Sequence, residues 1–262
     1  MRPDVETSPE RRQHDYYTAV AEQYYHGWMG DLGAHHRALS VISALVDGFR
    51  YGSVLDVGAG TGRATKHFLE RHPDVHVRGI EPVAAMIDQA EQAGGVPTGC
   101  IIEGRGQDLP FEDASFDVVC ELGVLHHVRD PEAIVTEMTR VARRAVFLSD
   151  ANRFAVGGRL ARAIRFGIYR SGLWEIFTWF RTSGRGYVET EGDGIAYSYS
   201  VYDSLPVLER WADRIFIVPT DPCRVGWFHP LFGSVNVLVC AVRDTPTGRL
   251  SAAPLSSAEC DG

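Results

Sequence analysis

Lysine is all but missing from this chain. Of its 26 basic residues 25 are arginine, and Lys66 stands alone. That imbalance reads as a composition bias rather than a functional signal. Long apolar runs are missing too. No stretch approaches the ~18 uncharged apolar residues that span a bilayer. The opening segment, MRPDVETSPERRQHDYY, lacks the apolar core of a secretory signal, so a cytoplasmic protein is expected. The five cysteines, Cys100, Cys120, Cys223, Cys240 and Cys260, are scattered and odd in number, with no CxxC or Cys/His spacing. That argues against a disulfide scaffold and a zinc site, and no metal is expected. Cys120 and Cys240 lie in apolar runs, where cysteine serves as a small hydrophobe. A net charge of −8 disfavours nucleic acid as a general partner.

What is present is ordinary for a globular protein: 262 residues, 45% hydrophobic and 23% charged, enough for one large domain. Residues 15–48 carry apolar positions at helical spacing and predict two helices broken around Gly27–Gly33. From Ser53 the pattern alternates. SVLDVG, VHVRGIEP, GCIIEGRGQDL, FDVVCELGV and AVFLSD read as strands, and the segments after the first, second and fourth as helices. Such alternation predicts an α/β fold, a Rossmann-like three-layer sandwich around a mostly parallel sheet of about seven strands. Residues 53–150 form the expected core. A helical, substrate-covering insertion is expected at 153–197, closing strands at 198–243, and a disordered tail at 244–262.

The first strand runs into Val57-Gly58-Ala59-Gly60-Thr61-Gly62-Arg63. Bare backbone here lets a ligand lie against the turn, and the following helix offers free N–H groups. A dinucleotide fingerprint needs a sixth-position glycine, and arginine occupies that place, which disfavours a nicotinamide dehydrogenase. Asp56, two residues before the first glycine, suits an ammonium group better than a pyrophosphate. Glu81, at the end of the second strand, can accept from ribose hydroxyls. Asp108, in the loop Gln107-Asp108-Leu109, can accept from an adenine amino group with Leu109 against the ring. The structural alternatives are a helix-capping Asp56 and an Asp108 that only caps a turn.

The stretches VLDVGAGTGRAT, GIEPVAAMI, GQDLPFEDASFDVV and ELGVLHHVRDPEAIVTEM occur in order between Ser53 and Arg143. In this the chain resembles the class I S-adenosylmethionine-dependent methyltransferases, in particular the ubiquinone and menaquinone methyltransferase branch. The resemblance implies S-adenosylmethionine as cofactor. It implies that Asp56 with Gly58, Ala59, Gly60 and Gly62 holds the methionine moiety, and that Glu81 and Pro82 meet the ribose. Met86, Gln107, Asp108 and Leu109 would surround the adenine, and Glu121 would lie near the methionine part. One departure is the stretch Val141-Ala142-Arg143-Arg144-Ala145, where the family often has an Arg-Pro-Gly-Gly turn.

Methyl transfer is an in-line displacement helped chiefly by alignment, and it needs a base only when the acceptor arrives protonated. His126 is the candidate base, with His127 second; both could instead stabilise the start of a helix. His35, His36, Tyr17 and Tyr24 could line the pocket or simply pack. Between Arg153 and Arg185 stand seven arginines and one acid, Glu175, interleaved with Leu160, Ile164, Phe166, Trp174, Trp179 and Phe180. This basic, aromatic segment predicts a lid with its apolar face over the pocket, or peripheral contact with an anionic membrane. The expected activity is methyl transfer to oxygen on a small-molecule or lipid-like acceptor, such as a natural product, sugar or isoprenoid. The alternatives are nitrogen or carbon transfer, or a cofactor-pocket protein acting as cyclase or sensor.

Overall fold

A computed structural model describes residues 8–28, 33–190, 192–221 and 231–244. The expected break between the first two helices falls partly on 29–32, and the expected tail on 245–262; both lie outside the described residues. Helices α1 (Pro9–Trp28) and α2 (Ala34–Phe49) precede the alternating unit. This unit runs β1 (Ser53–Val57), α3 (Arg63–Arg71), β2 (His76–Glu81), α4 (Ala84–Gln92), β3 (Ile101–Glu103), β4 (Phe116–Leu122), α5 (Pro131–Val141) and β5 (Ala142–Ala151). After it come α6 (Arg159–Arg170), α7 (Trp174–Arg181), the hairpin β6 (Tyr187–Thr190) and β7 (Gly194–Tyr197), α8 (Leu205–Trp211), β8 (Arg214–Pro219) and β9 (Asn236–Val242).

The main sheet has seven strands in the order β3-β2-β1-β4-β5-β9-β8. Strands β1 to β5 are parallel, and β9 runs antiparallel between β5 and β8. Every residue of β1 is buried, as a central parallel strand covered on both faces requires. On one face Ile134, Val135 and Met138 of α5 and Leu208 of α8 pack on Leu55, Val57, Val119 and Val146. On the other, Leu39, Ile42 and Val46 of α2 and Phe68 of α3 pack on Val54, Val118 and Phe147. Helix α5 starts where its sequence says it should: Asp130 accepts from the Ala133 amide at 3.2 Å and Pro131 fills the first turn. It then runs into β5 with no intervening turn, which accounts for the missing Arg-Pro-Gly-Gly. Cys100, Cys120 and Cys240 are buried.

The segment between β5 and α8 departs from expectation. It is not wholly helical, because its glycine-rich end folds into the β6–β7 hairpin. Helix α6 meets the body through only part of its apolar face, Phe166 and Tyr169 standing edge-on to Phe154. None of its residues is buried, and Leu160 is 75% exposed. What anchors the insertion is Arg153. Its guanidinium pairs with Asp203 and lies 5.1–5.6 Å from the ring centroids of Phe154, Tyr169 and Trp174. Burial lowers its pKa to about 10, which still leaves it cationic at neutral pH. Arg153→Ala is expected to destabilise the protein by about 2 kcal/mol in urea unfolding and to speed proteolysis between residues 155 and 185. Unchanged cleavage there would remove Arg153 as the anchor.

Candidate active site

The turn between β1 and α3 is built against the tip of β2. The amides of Gly58 and Ala59 both donate to the Ile80 carbonyl, at 2.8 and 3.0 Å. The Gly60 amide donates to Glu81 Oε2 at 2.9 Å, and Glu81 Oε1 accepts from Val83 at 3.0 Å. Two of the three glycines answer to the protein itself rather than to a ligand. A Cβ on Gly58 would stand 2.4 Å from Val124 Cγ2, and one on Gly62 2.7 Å from Val96 Cγ2, both at positive φ. Only Gly60 faces open room, with Met86 Cε 3.7 Å from such a Cβ.

Asp56 is buried, and its Oδ2 accepts from the amide and hydroxyl of Thr65 at 3.0 and 2.8 Å. Thr65 lies in the first turn of α3, so Asp56 caps that helix from the neighbouring strand. The capping alternative is therefore realised, and any ligand would share the carboxylate with the helix. Burial pushes Asp56 up to about 6 and Glu81 up to about 7, against the hydrogen bonds that lower each. Helix α1 roofs this region: Ala21, Tyr17 and Tyr24 pack on Val83 and Met86. Of the remaining expected contacts, Pro82 and Asp108 are exposed, Gln107 is half-buried, and Leu109 lies in the core with its amide on Glu137 at 3.0 Å. Arg140 holds the same loop through the carbonyls of Leu109 and Phe111, at 2.9 and 2.8 Å. Glu137 and Arg140, which no motif singled out, thus fix the loop after β3.

Glu121 corrects an expectation. Asp56 pairs with Cys120 in the sheet register, and side chains alternate along a strand. Glu121 therefore points to the other face from Asp56. It is fully buried, accepts from the Val124 amide at 3.0 Å, and its Oε1 has no hydrogen-bond partner among the described residues. Burial, reinforced by the charge of Asp150, pushes the Glu121 pKa well above its ordinary value.

Asp150, at the end of β5, organises a second cluster. Its Oδ2 accepts from the amides of Leu125 and His126 at 2.9 and 3.3 Å, and its Oδ1 lies 2.8 Å from His126 Nδ1. His126 Nε2 lies 3.2 Å from Oδ2 of Asp193, which lies between β6 and β7. Burial opposes charge on His126, but Asp150 and Asp193 outweigh it and hold the pKa up at about 10. Both ring nitrogens of His126 face carboxylates. Neither is turned toward open space, so the free general base expected from the sequence is not what this geometry presents. His127 lies beside it with ring centroids 3.9 Å apart, its Nδ1 2.7 Å from the Ile195 carbonyl and its Nε2 3.0 Å from the Tyr17 hydroxyl. Tyr17 joins the two clusters, its ring part of the α1 roof and its hydroxyl on His127. His35 lies 3.3 Å from Ser149 Oγ through Nδ1, and Tyr24 packs beside Met86.

An α/β domain whose first strand ends in a glycine turn, with acids at the first two strand tips, belongs to the nucleotide-binding class of parallel-sheet folds. Residues 55–148 match a family model described as a methyltransferase domain. Over 109 residues the chain is 33% identical to an O-methyltransferase of Aspergillus nomiae, covering 40% of this chain and 48% of that protein. It is 34% identical over 110 residues to a phosphatidylethanolamine N-methyltransferase of Cereibacter sphaeroides, covering 40% and 53%. It is 32% identical over 111 residues to a demethylmenaquinone methyltransferase of Chlamydia pneumoniae, covering 42% and 47%. The chain thus spans about half the length of these relatives. The solved magnesium protoporphyrin IX methyltransferase of Synechocystis, with bound S-adenosylhomocysteine, superposes with a TM-score of 0.57 at 17% identity, over 90% of this chain and all of that one. The seven-stranded sheet is the fold shared with that methyltransferase, and residues 55–148 are similar to a methyltransferase domain.

Glu81 yields a pH test. Its raised pKa means that the fold favours the protonated form, so its contribution is complete below 4.5 and disappears as pH rises through about 7. Relative to Glu81→Gln, the wild type is expected to lose up to about 3 kcal/mol across that window, read by urea unfolding at each pH. A difference that stays flat with pH would count against the burial account.

Proposed function

We propose that the protein transfers the methyl group of S-adenosylmethionine to an oxygen of a small, lipid-like acceptor. The observation that carries this reading is the pair of buried carboxylates, Asp56 and Glu81, converging on the glycine turn under α1. Burial disfavours their ionised forms, and a ligand bearing ammonium and sulfonium charges restores them. The donor set fits that cofactor. Glu81 would take the ribose hydroxyls, Asp56 and the Gly60 backbone the methionine end, and Met86 the adenine flank. When bound, the cofactor supplies an electrophilic methyl carbon.

The chain's own residues then orient and enclose. Tyr17, Tyr24 and Ala21 of α1 close over the turn and exclude water, while the polar cluster of His126, His127 and Tyr17 offers hydrogen-bonding partners to an acceptor oxygen. Oxygen fits this polar wall, and the demethylmenaquinone and O-methyltransferase relatives are compatible with an isoprenoid or phenolic acceptor. Incubation with methyl-labelled cofactor and a panel of phenolic and isoprenoid acceptors is expected to move label to an oxygen. Binding of S-adenosylmethionine without label transfer to any of them would favour a cyclase or sensor.

The outward face of the insertion supports an acceptor delivered from a membrane surface. Eight of the eleven exposed large hydrophobic side chains among the described residues lie between Val156 and Phe180, including Trp179 and Phe180 at 57% and 70% exposure. Arg159, Arg165 and Arg170 accompany them, and no helix among the described residues is long and apolar enough to cross a membrane. Apolar side chains beside clustered arginines match a layer with anionic headgroups above acyl chains. Sedimentation with phosphatidylglycerol vesicles at low salt is expected to carry down the wild type but not Trp179→Ser/Phe180→Ser. Equal sedimentation of both proteins would sink the surface role.

A further inference from the structure

The cluster that Asp150 organises has the anatomy of a metal centre, and we infer that His126, His127 and Asp193 form a binding site for one divalent transition ion of the zinc class. Its three ligands come from two separate segments and include no cysteine, so no spacing motif announces it.

Three observations carry the assignment. The first is convergence. His126 Nε2 lies 3.2 Å from Asp193 Oδ2 and His127 Nε2 lies 3.4 Å from Asp193 Oδ1, and one donor atom from each residue falls within 4.8 Å of the others. Ligand atoms about 2.0–2.2 Å from a tetrahedral ion stand roughly 3.3–3.5 Å from one another.

The second is the placement of the opposite ring nitrogens. His126 Nδ1 faces the Asp150 carboxylate at 2.8 Å, and His127 Nδ1 faces the Ile195 carbonyl at 2.7 Å. Both partners only accept, so each Nδ1 carries a hydrogen and a neutral ring turns its Nε2 lone pair toward Asp193. Metal-ligating histidines are held in this way, by a carboxylate or a backbone carbonyl on the far nitrogen. Gln13 Nε2 also lies 3.1 Å from His127 Nδ1, but it has the Asp193 carbonyl at 3.4 Å for its hydrogen, while its Oε1 accepts from the Ile195 amide.

The third is the packing of the two rings. The two rings lie at a centroid distance of 3.9 Å with side chains only 19% and 10% exposed, and the Tyr17 hydroxyl stands 3.0 Å from His127 Nε2. One divalent ion would accept both Nε2 lone pairs and the carboxylate at once, with the Tyr17 hydroxyl beside it. Asp193 is half-exposed, and a cavity of about 270 Å³ lined by Gln13 and Ile195 opens beside it, so an ion can reach the site.

Three protein ligands leave a position for a further oxygen. This consequence rests on the methyl-transfer reading, although the site itself does not. A hydroxyl of the acceptor bound there would release its proton to solvent more readily. Its oxygen would then bond to the methyl carbon as the carbon–sulfur bond breaks, the electron pair remaining on sulfur. The ion would thereby do the work that His126, held between two carboxylates, cannot do as a base.

The test is a cobalt titration of the full chain after dialysis against a chelator, followed by visible d–d absorbance and competed with zinc. One equivalent is expected to saturate the signal. Asp193→Asn and His127→Gln are each expected to weaken binding by at least about ten-fold, and Asp150→Asn by about ten-fold through loss of the partner on His126. Cofactor affinity, measured calorimetrically in chelator, reports separately on the methyltransferase reading and on the integrity of each variant. Absence of a saturable cobalt signal in the wild type, or equal signals in the wild type and in both ligand variants, overturns the site. The cluster is then a hydrogen-bonded one, with Tyr17 donating to His127.

Discussion

The closure of one short turn governs this molecule. The chain leaving β1 must reverse into α3, and it does so by handing its amides to the tip of β2: two to the Ile80 carbonyl and one to Glu81. Asp56 completes the tie by capping α3 through Thr65. These contacts fix the height at which the first two strands end and aim the start of α3, and they bring two acids into a low-dielectric space. Burying carboxylates is unfavourable, and a fold that keeps two of them beside a bare-backbone turn is poised for a ligand of opposite charge.

A second electrostatic centre lies one side chain away. Val124, whose methyl groups forbid a Cβ at Gly58, immediately precedes the Leu125–His127 turn. Packing at the glycine turn and placement of the two histidines are therefore parts of one construction. Asp150 receives the amides of that turn from below while Asp193 closes it from above. Tyr17 of α1 reaches both centres, so the position of that helix bears on both.

Much of the architecture was legible because periodicity and turn chemistry are local. The parallel strands, the glycine turn, the start of α5 at Asp130-Pro131 and the acids at the tips of β1 and β2 could all be read from short windows. What could not be read depended on which face a side chain takes, or on segments distant in sequence. Glu121 looked equivalent to Asp56, yet strand alternation sends it to the opposite side. Asp150 carried the same signal as Asp56 and Glu81, an acid at the carboxyl end of a buried strand, and could have been found by applying that rule to AVFLSD. Asp193 gave no signal, because its meaning arises only when the hairpin folds over His126. The arginines of α6 were visible, but whether its apolar residues faced inward or outward was not, since amphipathicity does not say what lies on either side.

The order of the strands has a consequence for how the chain is made. Strand β9 lies between β5 and β8 and pairs with both along its length, although synthesis delivers it after β8. Until β9 leaves the ribosome, β5 has a bare edge from Ala145 to Ala151 and β8 has no neighbour to join. A nascent chain at that stage presents an adhesive strand edge, and Asp150, which orders the histidine turn, sits on it. Ordering of the histidine cluster through Asp150 is therefore tied to a strand that emerges late, after the glycine turn can have closed.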